Sequence, residues 1–120
     1  MDGHKVVVDA TAESGGSDLG PRPQKLMLTA LVGCTGVDVL MILKKMKVEP
    51  EAFHVIVEGE LTDEHPKYYH KMKVIYQFKG KDLPKDKLEK AVKLSEEKYC
   101  GVSAVYKKAI DLETEIRVVE

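Results

Sequence analysis

The stretch from Leu26 to Leu43, LMLTALVGCTGVDVLMIL, constrains this chain more than any other. It is the longest apolar run, and its apolar residues surround a helical cylinder almost completely, so a helix here must be buried on most sides. The length is borderline for a bilayer span, but Thr29, Thr35, two glycines and Asp38 argue against lipid, so no membrane insertion is expected. A small sheet cannot cover such a helix alone. Gly33 and Gly36 would permit close approach by another helix, and a homodimer is the expected assembly.

The 120 residues fit a single domain, 1–120, long enough for a core without disulfide staples. Nineteen Lys+Arg against 20 Asp+Glu leave a net charge of −1, so no field of one sign favours nucleic acid or anionic membranes. The start, MDGHKVVVDA, lacks the basic, apolar and cleavage-site pattern of a signal peptide, and a cytoplasmic location is expected. In that reducing compartment the two cysteines, Cys34 and Cys100, read as reactive, metal-binding or simply buried thiols rather than as a staple.

The elements can be read in order. His4 to Ala10 carries three consecutive valines and reads as a short strand, followed by a Gly/Ser/Pro-rich loop from Glu13 to Pro23. Pro23 suits the first turn of the long helix, which runs to about Met46 with Lys44, Lys45 and Lys47 at its end. Phe53–Leu61 and His70–Phe78 alternate as two half-buried antiparallel strands. A second helix presents Leu88, Ala91, Val92, Ser95 and Tyr99 on its inner face; Cys100 ends it and Gly101 is the expected break. Val102–Lys108 reads as a short helix, and Ile110, Leu112, Ile116 and Val118 share one side of a closing strand. The order βαββαβ implies an α+β sandwich in which helices, including a long buried central one, cover an antiparallel sheet.

Cys34 lies between two glycines, and Cys100 immediately precedes a third. Small neighbours leave space for a thiol to be attacked, although a cysteine in an apolar helix can equally be a small packing residue. Cys34 sits about three turns inside the helix, too deep for the dipole to favour thiolate. Asp38, one turn further on, would oppose thiolate if ionised and close. A cation from Arg22, Lys25 or a second subunit would be needed. Asp38 itself reads either as a hydrogen-bonded buried carboxylate or as a participant in chemistry. CxxC, HxH and HExxH spacings are absent and His4, His54, His65 and His70 are scattered, so no metal or other cofactor is expected. Neither a P-loop nor a basic aromatic platform for nucleic acid is present.

Two segments together, GPRPQKLMLTALVGCTGVDVL and EKYCGVSAVYKKAIDLETEI, resemble the OsmC/Ohr superfamily, including its YhfA-like branch. A proline-led helix carries one cysteine, and a Cys-x-Val-Ser segment carries the other, in matching order and spacing over nearly the whole chain. The resemblance implies an intertwined homodimer of α+β fold. It also implies a stress-response thiol peroxidase for organic hydroperoxides: Cys34 attacks the O–O bond and becomes a sulfenic acid, Cys100 resolves it to a disulfide, and a dithiol reductant restores the pair. Partners would then be a small apolar peroxide and that reductant. In the peroxidases a glutamate stands ten residues before the reactive cysteine and pairs with an arginine; here Gln24 holds that position, and Arg22 is the only early arginine. Gln24, Arg22 and Asp38 are therefore the positioning candidates. A small apolar ligand-binding protein, or an enzyme acting on another electrophile, are the alternatives.

Overall fold

The structure, a computed structural model, describes all 120 residues. Pro23 opens a 3-10 turn, Pro23–Lys25, that passes directly into helix α1, Leu26–Lys45. Proline costs nothing there, because an N–H in the first turn has no intrahelical partner. The helix closes at Lys44 and Lys45, whose charges suit its carbonyl end, and Lys47 turns the chain with φ of 61°.

One face of α1 is buried through Leu31, Thr35, Gly36, Val39 and Leu43. The surface beneath it is a three-stranded sheet in the order β1 (Ala52–Leu61), β2 (Tyr69–Lys79), β3 (Asp111–Val119). Strand β2 is central, and its alternate residues Met72, Val74, Tyr76 and Phe78 form the floor of the core. Phe53 pairs with Phe78 in register, and their rings stack with centroids 4.8 Å apart. The other sheet face carries ion pairs, Lys71–Glu113 and Lys73–Glu115, both at 3.0 Å, whose exposure limits their contribution to stability.

Three expectations change. Strands β1 and β2 are antiparallel, but β3 runs parallel to β2, so the sheet is mixed. The intervening helices, α2 (Lys85–Leu94) and α3 (Gly101–Tyr106), form a crossover that returns the chain to the end of the sheet where β2 begins. Second, His4–Ala10 forms no strand, and Val6, Val7 and Val8 are exposed, because no strand edge of this chain runs beside them. The arm is organised locally instead: the Asp9 carboxylate accepts from the N–H groups of Leu19, Ser17 and Ala10, which hold its pKa below the usual range. Third, a Cβ at Gly36 would lie 3.4 Å from Val55, so this glycine sets the helix–sheet distance, while Gly33 faces open space.

The exposed side of α1 carries Val37, Leu40 and Met41, each about half exposed or more. A helix of this length and apolarity also meets the criteria for a membrane span, yet its other face is packed on the sheet.

Gly59 on β1 is packed against side chains of both β2 and α1. A Cβ there would fall 2.6 Å from the Tyr69 ring and 2.9 Å from Leu28. Gly59→Ala is predicted to destabilise the fold by about 1–3 kcal/mol through overpacking, measured by urea denaturation. A change smaller than the error of the midpoint would contradict this packing.

Candidate functional site

Two local features bring the cysteines together. On α1, the position after Cys34 is the buried Thr35, so packing Thr35 against the sheet leaves Cys34 half-buried at the edge of the contact. On the other side, α2 buries Leu88, Ala91 and Val92 as its periodicity requires, then widens into a π turn at Ser95–Tyr99. The Cys100 N–H donates to the Ser95 carbonyl at 2.7 Å, five residues back. The wider turn shifts the helical stripe. Ser95 points into the core, whereas Tyr99, expected on the inner face, is 55% exposed.

Cys100 ends this helix by itself adopting extended geometry (φ −79°, ψ 104°), and Gly101, expected as the break, begins α3. The Cys100 sulfur then accepts from the Ser103 N–H at 3.3 Å, capping the new helix. Ser103 Oγ is buried without a partner. The Cys-x-Val-Ser spacing thus has a physical role: the serine backbone fixes the thiol.

Cys34, Cys100 and Asp38 converge, with both sulfurs and a carboxylate oxygen all within 4.8 Å of one another. Both cysteines are free. A disulfide needs sulfur atoms about 2 Å apart, so the two sulfurs must approach further to join. The trio offers three potential metal donors, one fewer than a closed structural zinc site.

The electrostatics work against a resting thiolate. Burial pushes the Cys34 thiol above its usual pKa, the Cys100 sulfur adds to the rise, and the Asp38 charge contributes last; the Val102 N–H opposes them. Asp38 is half-buried and accepts from Ser95 Oγ at 3.3 Å. Ser95 and Tyr76 also meet at one hydroxyl: Thr35 Oγ1 lies 2.8 Å from Ser95 Oγ and 2.7 Å from Tyr76 Oη. This buried polar row escaped the sequence, where Thr35 and Tyr76 look like ordinary members of apolar stripes.

The two other positioning candidates bind elsewhere in this chain. Arg22 donates to the carbonyls of Asp9 and Gly20 and pairs with Asp18, while Gln24 donates to the Lys67 carbonyl at 2.9 Å. His4, His54, His65 and His70 are all exposed.

A long helix on a mixed sheet, with one cysteine on that helix and another where the following helix pair breaks, defines an OsmC-like protein. The chain belongs to that family, whose description "OsmC-like protein" matches residues 15–115. It is 30% identical over 117 residues to protein YhfA of Escherichia coli strain K12, covering 98% of this chain and 84% of the relative. A crystal structure of a hypothetical protein from Aquifex aeolicus VF5 superposes with a TM-score of 0.80 and 33% identity, covering 99% of this chain and 98% of the other. The Legionella pneumophila structure described as an organic hydroperoxide resistance protein OsmC superposes with a TM-score of 0.68 at 19% identity, covering 96% and 82%.

Two predictions follow from this geometry. Thr35→Val removes the hydroxyl that pairs with both Tyr76 and Ser95 in the core and should cost about 1–3 kcal/mol, read as a lowered denaturation midpoint; an unchanged midpoint would show the row to be energetically idle. Asp38→Asn removes a negative charge beside Cys34, so iodoacetamide should alkylate Cys34 faster at neutral pH, with the midpoint of the pH profile moving down. A slower reaction or a profile moved upward would contradict the assigned direction.

Proposed function

We propose that this protein is a thiol peroxidase that reduces organic hydroperoxides. The observation that carries the reading is the convergence of two free thiols within 4.8 Å, one half-buried and approachable, the other buried. The Cys34 thiolate attacks the terminal peroxide oxygen, the O–O bond breaks, and the electron pair leaves on the alkoxide, which takes a proton to become the alcohol. Cys34 is left as a sulfenic acid. The Cys100 sulfur then attacks Cys34, forming the disulfide and releasing water. A dithiol reductant restores both thiols by exchange.

The roles divide by exposure. Cys34 faces a surface where a substrate can arrive, and Cys100 is held in the core by Ser103 until its partner is oxidised. The resemblance to a hydroperoxide resistance protein supports the choice of electrophile. The raised Cys34 pKa sets a demand: a cation or donor must reach the thiol in the working assembly. Gln24 and Arg22 are the proposed sources, across the subunit boundary of a homodimer, since both are committed away from Cys34 within this chain.

The homodimer has its own support. Only 20 of 120 residues are buried, and the radius of gyration is 16.3 Å, against about 13.6 Å for a compact chain of this size. The exposed valines of the N-terminal arm and the Val37, Leu40 and Met41 face of α1 supply apolar surface for a second copy. A cytoplasmic setting fits the two reduced cysteines.

A second reading, a binding protein for a small apolar ligand, is favoured by the cleft of about 230 Å³ beside Asp38, lined in part by Met41, Ile42 and Tyr99. Peroxide consumption separates the two. With excess dithiothreitol and cumene hydroperoxide, the wild type should turn over and Cys34→Ser should not. Cys100→Ser should accumulate a dimedone-reactive sulfenic acid at Cys34. Equal peroxide consumption by wild type and Cys34→Ser would leave the binding reading.

A further inference from the structure

The buried hydroxyls do not end at Asp38. At the opposite end of the row, the Tyr76 hydroxyl faces the Glu96 carboxylate, and each group shifts the other's ionisation. Thr114 Oγ1 donates to the Glu96 carboxylate, lying 2.6 and 2.8 Å from its two oxygens. Glu96 lines a surface cleft of about 300 Å³ with Glu89, Lys93, Lys107 and Thr114. Thr35 Oγ1 therefore links Tyr76 Oη to Ser95 Oγ, which donates to Asp38 beside the two thiols, and the Tyr76 end of this row lies next to Glu96 at the cleft. The π turn makes the arrangement possible, since it places Ser95 in the core and Glu96 at the cleft as consecutive residues.

Each hydroxyl in the row has one hydrogen, so the row has two orientations. In one, Tyr76 donates to Thr35, Thr35 to Ser95 and Ser95 to Asp38, and the Tyr76 oxygen is left to accept from a protonated Glu96. In the other, Asp38 is protonated and donates to Ser95, Ser95 to Thr35, Thr35 to Tyr76, and Tyr76 to ionised Glu96. Passing between them moves one proton from Glu96 to Asp38, the Tyr76–Glu96 contact closing to hydrogen-bond distance as the hydroxyls reorient.

The redox pair needs such a route. Cys100 is 2% exposed, and when a disulfide opens with its sulfur as leaving group, the thiolate has almost no contact with solvent. Building on the redox reading above, we infer that Glu96 is the proton entry for the Cys34–Cys100 pair, delivering through Tyr76, Thr35 and Ser95 to Asp38. The step balances as follows. A thiolate of the dithiol reductant attacks Cys34, a new S–S bond forms, the Cys34–Cys100 bond breaks, and its electron pair leaves on Cys100. The row reorients so that the Glu96 proton passes to Asp38, and Asp38 gives a proton to that sulfur, a favourable transfer because carboxylic acids are far stronger acids than thiols. Solvent in the cleft then returns a proton to Glu96. The second thiol of the reductant then releases Cys34.

Burial keeps Glu96 protonated to higher pH than an ordinary glutamate, with Glu97 reinforcing the rise and Thr114, Lys107 and Tyr76 opposing it. The charged groups facing it are Glu89 and Lys93 of α2, Glu97 of the turn and Lys107 after α3. Around Asp38 stand Cys34, Cys100, Lys45 and Tyr99. A protonated Glu96 is loaded below its pKa and empty above it, so delivery should weaken as pH rises through its ionisation.

The test uses a disulfide made without peroxide. The full-length protein is oxidised with diamide, and dithiothreitol reduction is followed across the pH range in which Glu96 ionises. Each rate is divided by the dithiothreitol thiolate concentration. For wild type the normalised rate should fall as pH rises and show a solvent deuterium isotope effect. Glu96→Gln should be about tenfold slower at low pH and flat, and Tyr76→Phe should match it. Glu96→Asp should retain the fall. Glu96 is half-buried at the mouth of the cleft and outside the core cluster, so its glutamine variant carries the test if Tyr76→Phe misfolds. A wild-type slope in Glu96→Gln overturns the relay. If diamide links the cysteines but a hydroperoxide does not, the peroxidase reading fails alone and the relay remains measurable; if diamide gives no Cys34–Cys100 disulfide, both fail.

Discussion

Everything at the site depends on how α1 lies against the sheet. Gly36 lets the helix backbone approach Val55 and Phe53, and this close seat forces its neighbour Thr35 into the core, where its hydroxyl reaches Tyr76 on the central strand. Cys34 and Asp38, one residue before and three after Thr35, are thereby carried to the edge of the same contact. A threonine hydroxyl in a core is costly unless paired, and here two partners satisfy it. The helix rotation that positions Cys34 is thus locked by a polar interaction as well as by apolar packing.

The second dependency is the π turn. An α-helix continued through Tyr99 would keep its 3.6-residue stripe and put Tyr99 inward. Widening by one residue instead sets Ser95 against Thr35, sends Tyr99 outward and breaks the chain at Cys100. Cys100 is then a cap as well as a thiol, held by the Ser103 N–H. Such turns are a recurring device for aiming side chains that regular helix geometry cannot align. Here the turn serves two chemistries at once, placing the proposed resolving thiol on one side and the Glu96 cleft on the other.

Much of this was legible in the sequence, for definite reasons. The apolar cylinder of Leu26–Leu43, the alternation of Phe53–Leu61 and of His70–Phe78, and the stripe through Leu88, Ala91 and Val92 gave element types and boundaries within a residue or two. The paired cysteines and the Cys-x-Val-Ser segment gave the family. The direction of β3 was not legible, because alternation reports which face is buried and says nothing of which neighbour a strand follows. The fate of His4–Ala10 was hidden because a valine run signals strand propensity without supplying a partner edge. Thr35, Ser95 and Tyr76 were invisible as a group, since hydroxyls scattered over three elements meet only once the helix rotation and the π turn are known.

The central claim is that Cys34 and Cys100 form one redox centre. The most direct measurement is a peptide map, made without reductant, of the wild-type protein after one equivalent of an organic hydroperoxide. The account predicts rapid loss of both free thiols and a crosslinked peptide joining Cys34 to Cys100 within each chain. Persistence of both thiols, or a Cys34–Cys34 link between subunits with Cys100 still free, would contradict it.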